Sequence, residues 1–151
     1  MAYTTIDNPE LYFQTKLYTG TGSTLSVTLD GEEDMQPDLI WIKVRNQDSS
    51  PMLQDSVRGS DGTSYRAVKP SADSAQTTNA GFLTAIGSNG FTVGTNGKFN
   101  ASNDTYVAWC WKESTTAGLD IIDYDGSGSN TTISHNLSAV PKTIWVKEYS
   151  H

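Results

Sequence analysis

Cysteine, histidine and basic residues are scarce in this sequence, and each scarcity removes a class of function. A single cysteine, Cys110, cannot close an internal disulfide, so the fold must stand on packing. The two histidines, His135 and His151, leave little material for base-assisted nucleophilic catalysis. Ten Lys and Arg against seventeen Asp and Glu give a formal charge of −7 and a pI near 4.6. That balance argues against a nucleic-acid partner, because phosphate binding needs clustered cations. There is no apolar run of the ~18 residues needed to cross a bilayer, so no membrane insertion is expected. The opening MAYTTIDNPE has neither a basic nor an apolar leader region, so no secretory signal is expected. Neither a P-loop nor a GxGxxG motif occurs.

What is present points to β-structure. Hydrophobic residues make up 36% of the 151 positions and are spread along the whole length, enough for one packed domain. Gly, Ser, Thr, Asn and Asp supply turns and polar strand faces, while periodic helix formers are few. Thr24–Leu29 alternates polar and apolar as a half-exposed strand does. LIWIKV (39–44) reads as a strand buried on both faces. MLQDSVRG (52–59), SYRAVK (64–69) and the short apolar runs within 81–100 continue the series. Asn89-Gly90 and Asn96-Gly97 punctuate those runs as hairpin signals, and residues 70–80 read as a loop. Strands every ~8–12 residues predict an all-β, antiparallel β-sandwich of the jelly-roll or lectin-like kind.

An internal repeat is the most informative feature. YTGTGSTLSVT from Tyr18 matches YDGSGSNTTIS from Tyr124, an offset of 124 − 18 = 106. QPDLIWIKV then matches VPKTIWVKE, placing Trp41 against Trp145 at an offset of 145 − 41 = 104. The sequence thus divides into an N-terminal arm or first strand (1–17), a sandwich unit (18–117) and the opening strand-loop-strand hairpin of a second repeat (118–151). That hairpin is expected to dock on the first unit or on a neighbouring subunit, or to begin a further repeat of a longer protein.

Candidate sites can be weighed residue by residue. In TYVAWCWKE (105–113), Val107, Trp109 and Trp111 share one strand face and Tyr106, Ala108 and Cys110 the other. Large aromatics fill cores more often than they wait for ligands, so Trp109 and Trp111 are assigned to core packing and Cys110 to an inert buried thiol. Asp123, Asp125 and Ser127 have the spacing of a calcium loop, but Ser134 stands where the bidentate Glu belongs, and the first copy has Leu17 and Thr19 at the aspartate positions. A shared glycine turn is the better reading, and no metal or cofactor is expected. The DGEED run (30–34) reads as a solvated acidic loop, and no two carboxylates are spaced by the sequence for glycosidase chemistry. Arg58 is expected to pair with Asp55 or hold a loop. No catalytic residue emerges; Trp41, Trp145, Arg58, Asp123 and Asp125 remain as candidate ligand or assembly contacts.

The blocks MAYTTIDNPELYFQTKLYTGTGS, QPDLIWIKVRN, DSVRG and TYVAWCWKE, followed by the restart YDGSGSNTTISHNLSAVPKTIWVKEYS, resemble a family of repetitive structural or tail-fibre-like proteins of marine tailed phages. The resemblance covers nearly the whole chain. It implies a lectin-like β-sandwich repeat and a non-enzymatic virion component, a tail fibre or related appendage. Such a protein would be made in the host cytoplasm and carried outside in the particle. Its implied partners are itself, as a homo-oligomer, other virion proteins and the host surface. The alternative is a carbohydrate-binding module that recognises host surface glycans as an independent domain.

Overall fold

The computed structural model describes residues 6–150. Eight strands form two antiparallel sheets, as the turn spacing and alternation predict. They are β1 (Phe13–Thr19), β2 (Leu25–Thr28), β3 (Leu39–Val44), β4 (Met52–Asp55), β5 (Ala67–Val68), β6 (Leu83–Gly87), β7 (Gly90–Val93) and β8 (Thr105–Trp111). A single-turn helix, α1 (Gly97–Asn100), precedes β8. The five-stranded sheet runs β1-β8-β3-β4-β5 and the three-stranded sheet β2-β7-β6. Their facing sides share one core: Ile40, Ile42, Val44, Met52, Tyr106, Ala108 and Cys110 from the first sheet meet Val27, Leu83, Phe91 and Val93 from the second. Met35, Phe82 and Phe99, all outside the strands, join that core.

Local sequence explains most element boundaries. The two-residue loop Ser88-Asn89 joins β6 to β7, and Gly90 follows it with a φ of 130°. A side chain at Gly90 would put Cβ 2.1 Å from the Val27 carbonyl oxygen, so glycine is required on both counts. Asn96-Gly97, read as a hairpin signal, instead opens α1. The Asn96 side chain accepts from the Lys98 amide at 3.0 Å and caps the turn, a competing use of the same dipeptide. MLQDSVRG is extended only to Asp55, because Asp55 turns the chain by accepting from the Arg58 amide at 2.8 Å. SYRAVK pairs over only two residues, Ala67 and Val68. The first strand, Phe13–Thr19, straddles the boundary drawn at residue 17.

Topology corrects one reading outright. The repeated strand-loop-strand is not a hairpin: β2 and β3 lie in different sheets. β8 sits between β1 and β3 and pairs with both, while β2 pairs with β7. β2 therefore finds its partner late in the chain, while β3 pairs both with β4, the next strand in sequence, and with β8.

Candidate functional site

The outer face of the five-stranded sheet is built in register. Phe13, Trp111, Leu39 and Asp55 form one row across the strands; Thr15, Trp109, Trp41, Leu53 and Val68 form the next; Leu17, Val107 and Lys43 form a third. The Trp41 and Trp109 rings meet edge to face at 6.1 Å and 68°, and Phe13 tilts against Trp111 at 5.1 Å. Trp109 and Trp111 are thus not in the inter-sheet core to which the sequence reading assigned them. Strand alternation gives the core to Tyr106, Ala108 and Cys110, all fully buried, and leaves the indoles half-exposed on the other side. Cys110 is inert as expected: burial pushes its thiol up to about 12, far from the thiolate a nucleophile needs.

After β8 the chain turns through a Ser114–Leu119 bridge and runs on without a strand to residue 150. Its start is held by two carboxylates. Glu113 accepts from the Ile121 amide at 3.1 Å, and Asp120 accepts from the Asn136 amide at 2.6 Å. Desolvation raises Glu113, with Asp120 and Asp38 adding to the effect, and the Asn136 amide lowers Asp120. The sequence paired no two carboxylates, and these two, seven residues apart across a turn, carried no spacing signal. They lie at the surface and hold backbone rather than a substrate bond.

The far end of this tail crosses the outer sheet face. Trp145 stands edge-on to Trp41 at 6.4 Å and 86°. Lys147 donates to the Ser74 carbonyl at 3.3 Å, and the Gln76 amide donates to the Tyr149 carbonyl at 2.8 Å. The Tyr149 hydroxyl donates to Asp123, a bond that raises the phenol, with Asp125 adding to the effect electrostatically. The Arg58 guanidinium lies 5.9 Å from the Tyr149 ring centroid, a cation–π contact. Arg58 is itself fixed by Asp55, with Nε and Nη2 each 2.6 Å from Oδ2 and both side chains buried. Four of the five residues singled out from sequence, Trp41, Trp145, Arg58 and Asp123, therefore meet at the tail junction. Asp125 lies exposed beside it, and the sequence missed Tyr149. Among the described residues no group of three His, Cys, Asp or Glu could hold a metal ion.

The two copies of the repeat share a turn but not its packing. Gly22 and Gly128 both adopt positive φ, 73° and 70°. Thr21 donates to the Ser23 carbonyl at 2.9 Å, and Ser127 donates to the Ser129 carbonyl at 3.1 Å. Beyond the turn the copies part. Ile40 and Ile42 are 0% and 1% exposed, whereas their counterparts Ile144 and Val146 are 74% and 72% exposed. A Cβ on Gly20 would meet the Ala101 carbonyl oxygen at 2.1 Å, whereas one on Gly126 would meet nothing. Gly20→Ala should accordingly cost at least ~2 kcal/mol and Gly126→Ala no more than ~0.5 kcal/mol by urea unfolding. Equal costs would mean the copies are not packed differently.

Residues 8–151 match the family described as Domain of unknown function (DUF7483). The chain belongs to that family. No curated protein and no solved structure matches it. The DUF7483 match runs through the eight strands and the tail alike, so the second copy lies inside the span that defines the family. In this DUF7483 chain the feature that stands apart from ordinary sandwich packing is the half-docked tail on an aromatic sheet face.

Proposed function

We propose that this chain is a non-enzymatic structural module of a phage virion, a tail-fibre-like appendage component that assembles through its sheet surfaces and its tail. The observation that carries this reading is the exposure of Ile144, Trp145 and Val146 where Ile40, Trp41 and Ile42 are packed. An apolar triplet with β-strand sequence, left in solvent, is a surface prepared for another chain. Docking on its own sheet is weak compensation: Trp145 keeps 69% of its surface exposed, and the Trp41 indole N–H is buried without a hydrogen-bond partner among the described residues. Such an orphaned donor costs about 1–3 kcal/mol, which favours release of the tail to a better partner. The resemblance to repetitive phage proteins adds the setting: a virion, with copies of this chain and other virion proteins as partners.

A glycan-binding module is the second reading, favoured by the presence of Trp41, Trp109 and Trp111 on one sheet face. Edge-to-face rings do not offer the flat platform on which sugars stack, so this reading has less support. Light scattering across a concentration series separates the two. The assembly reading expects the mass to grow with concentration and the paired substitution Ile144→Ser and Val146→Ser to suppress that growth while the sandwich stays folded. Growth beyond twice the chain mass that the paired substitution leaves untouched, or a constant monomer that binds glycans in a screen, overturns it.

A further inference from the structure

The longest open sheet edge among the described strands is β1. Its even-numbered residues bond to β8: the Lys112 amide donates to the Tyr12 carbonyl at one end, and the Gly20 amide to the Asp104 carbonyl at the other. The backbone N–H and C=O groups of Phe13, Thr15, Leu17 and Thr19 therefore point away from β8, where no described residue pairs with them. The other edges are shorter or covered. β2 has four residues, β5 has two and is closed by an Ala67–Thr77 bridge, and β6 carries a register irregularity. Natural proteins guard long edges with charges, prolines or bulges. The only charge on β1, Lys16, points inward and pairs with Asp30 at 2.9 Å. The outer side chains are Phe13, Thr15, Leu17 and Thr19, and the two apolar ones are 39% and 56% exposed.

We propose that β1 pairs antiparallel with β1 of a second copy of this chain about a two-fold axis through Thr15, joining two five-stranded sheets into one of ten strands. The choice of axis follows from the residues. About Thr15, Phe13 of each copy faces the partner's Leu17, so both exposed apolar residues are matched in cross-strand pairs, and Thr15 faces the partner's Thr15. An axis through Lys16 would set like charges opposite each other. An axis through Leu17 would leave Phe13 opposite the polar Thr21 turn. Charge also agrees. The partner's Lys16 falls opposite Gln14, whose side chain is bonded to the carbonyls of Glu10 and Glu33 and to the Gly31 amide. That places a cation beside the acidic loop Asp30–Asp34 of a chain carrying a formal −7. This inference stands apart from the virion reading, because it uses neither the tail nor the repeat.

Two variants of the full chain test it. Thr15→Pro removes an N–H that no described residue accepts from, so circular dichroism and thermal unfolding should show the fold retained. Because the residue sits on the axis, one substitution removes two intermolecular hydrogen bonds, and the dimer dissociation constant should rise on the order of tenfold or more. Thr15→Cys should cross-link on mild oxidation, since facing hydrogen-bonded residues lie ~5.5 Å apart at Cα, within disulfide reach. Leu17→Cys should not cross-link, and Cys110 is buried and does not compete. Light scattering should give twice the 16.4 kDa chain mass for the Ile144→Ser, Val146→Ser variant, in which growth through the tail is removed and the β1 pairing remains. A monomer at all concentrations, a dimer indifferent to Thr15→Pro, or cross-linking through Leu17→Cys in place of Thr15→Cys overturns the proposal.

Discussion

Replacing Asn100 with alanine should lower the stability of the sandwich by about 3–5 kcal/mol and its melting temperature by roughly 10 °C or more. Asn100 is fully buried, and its amide joins three separate pieces of chain. Its nitrogen donates to the Ser23 carbonyl at 2.5 Å and the Gly94 carbonyl at 2.8 Å, and its oxygen accepts from the Thr21 amide at 2.7 Å. Removing the side chain leaves those backbone groups without partners where water has little access, at about 1–3 kcal/mol for each group fully stranded. Asn100→Asp should do almost as much harm, because it keeps the acceptor and loses both donors. The effect should reach the β1–β2 turn first, seen as faster amide exchange at Thr21. A urea midpoint close to that of the unaltered protein would show that water or a rearranged turn replaces the amide.

The second large effect is expected at Asp55. Asp55→Ala strands the Arg58 guanidinium in a buried position and should cost about 3–5 kcal/mol, the usual result of removing one partner of a buried pair. It also frees the Arg58 amide, which Asp55 Oδ1 accepts at 2.8 Å. The double change Asp55→Leu with Arg58→Met should recover much of the loss, because two apolar residues of similar volume need no desolvation to be offset. Such a double variant also removes the cation beneath Tyr149. If it restores stability yet increases amide exchange at Gln76, whose amide bonds to the Tyr149 carbonyl at 2.8 Å, then Arg58 holds the tail as well as the sheet. Failure of the double variant to recover stability would mean that the local turn, more than the charge, depends on Asp55.

How much could be read in advance depended on how local the cause was. β3 and β8 stood out as apolar runs, and the glycine turns at Gly22 and Gly128 followed from the repeat, because each is encoded within a few residues. Arg58 with Asp55 was legible for the same reason, being three residues apart. Which face of β8 is the core was not legible. Tyr106, Ala108 and Cys110 are no more apolar than Val107, Trp109 and Trp111, and only the register with β1 and β3 decides. Asn100, Tyr149 and the Glu113–Asp120 pair went unnoticed because their partners lie across turns or far along the chain. The repeated segment was wrongly read as a hairpin, since its two strands in the first copy enter different sheets and neither pairs with the other.

The position of β8 has a consequence for synthesis. β1 cannot join β3, β4 and β5 until Thr105–Trp111 arrives, which is 105 − 44 = 61 residues after β3 is complete. At ribosomal speeds of 5–20 residues per second that interval is roughly 3–12 s, long compared with the microseconds in which a hairpin forms. During it the nascent front half can form at most the β3-β4-β5 meander, with β1 still lacking the strand it pairs with. The domain would thus close its five-stranded sheet in one late step, triggered by the emergence of the Trp-Cys-Trp strand.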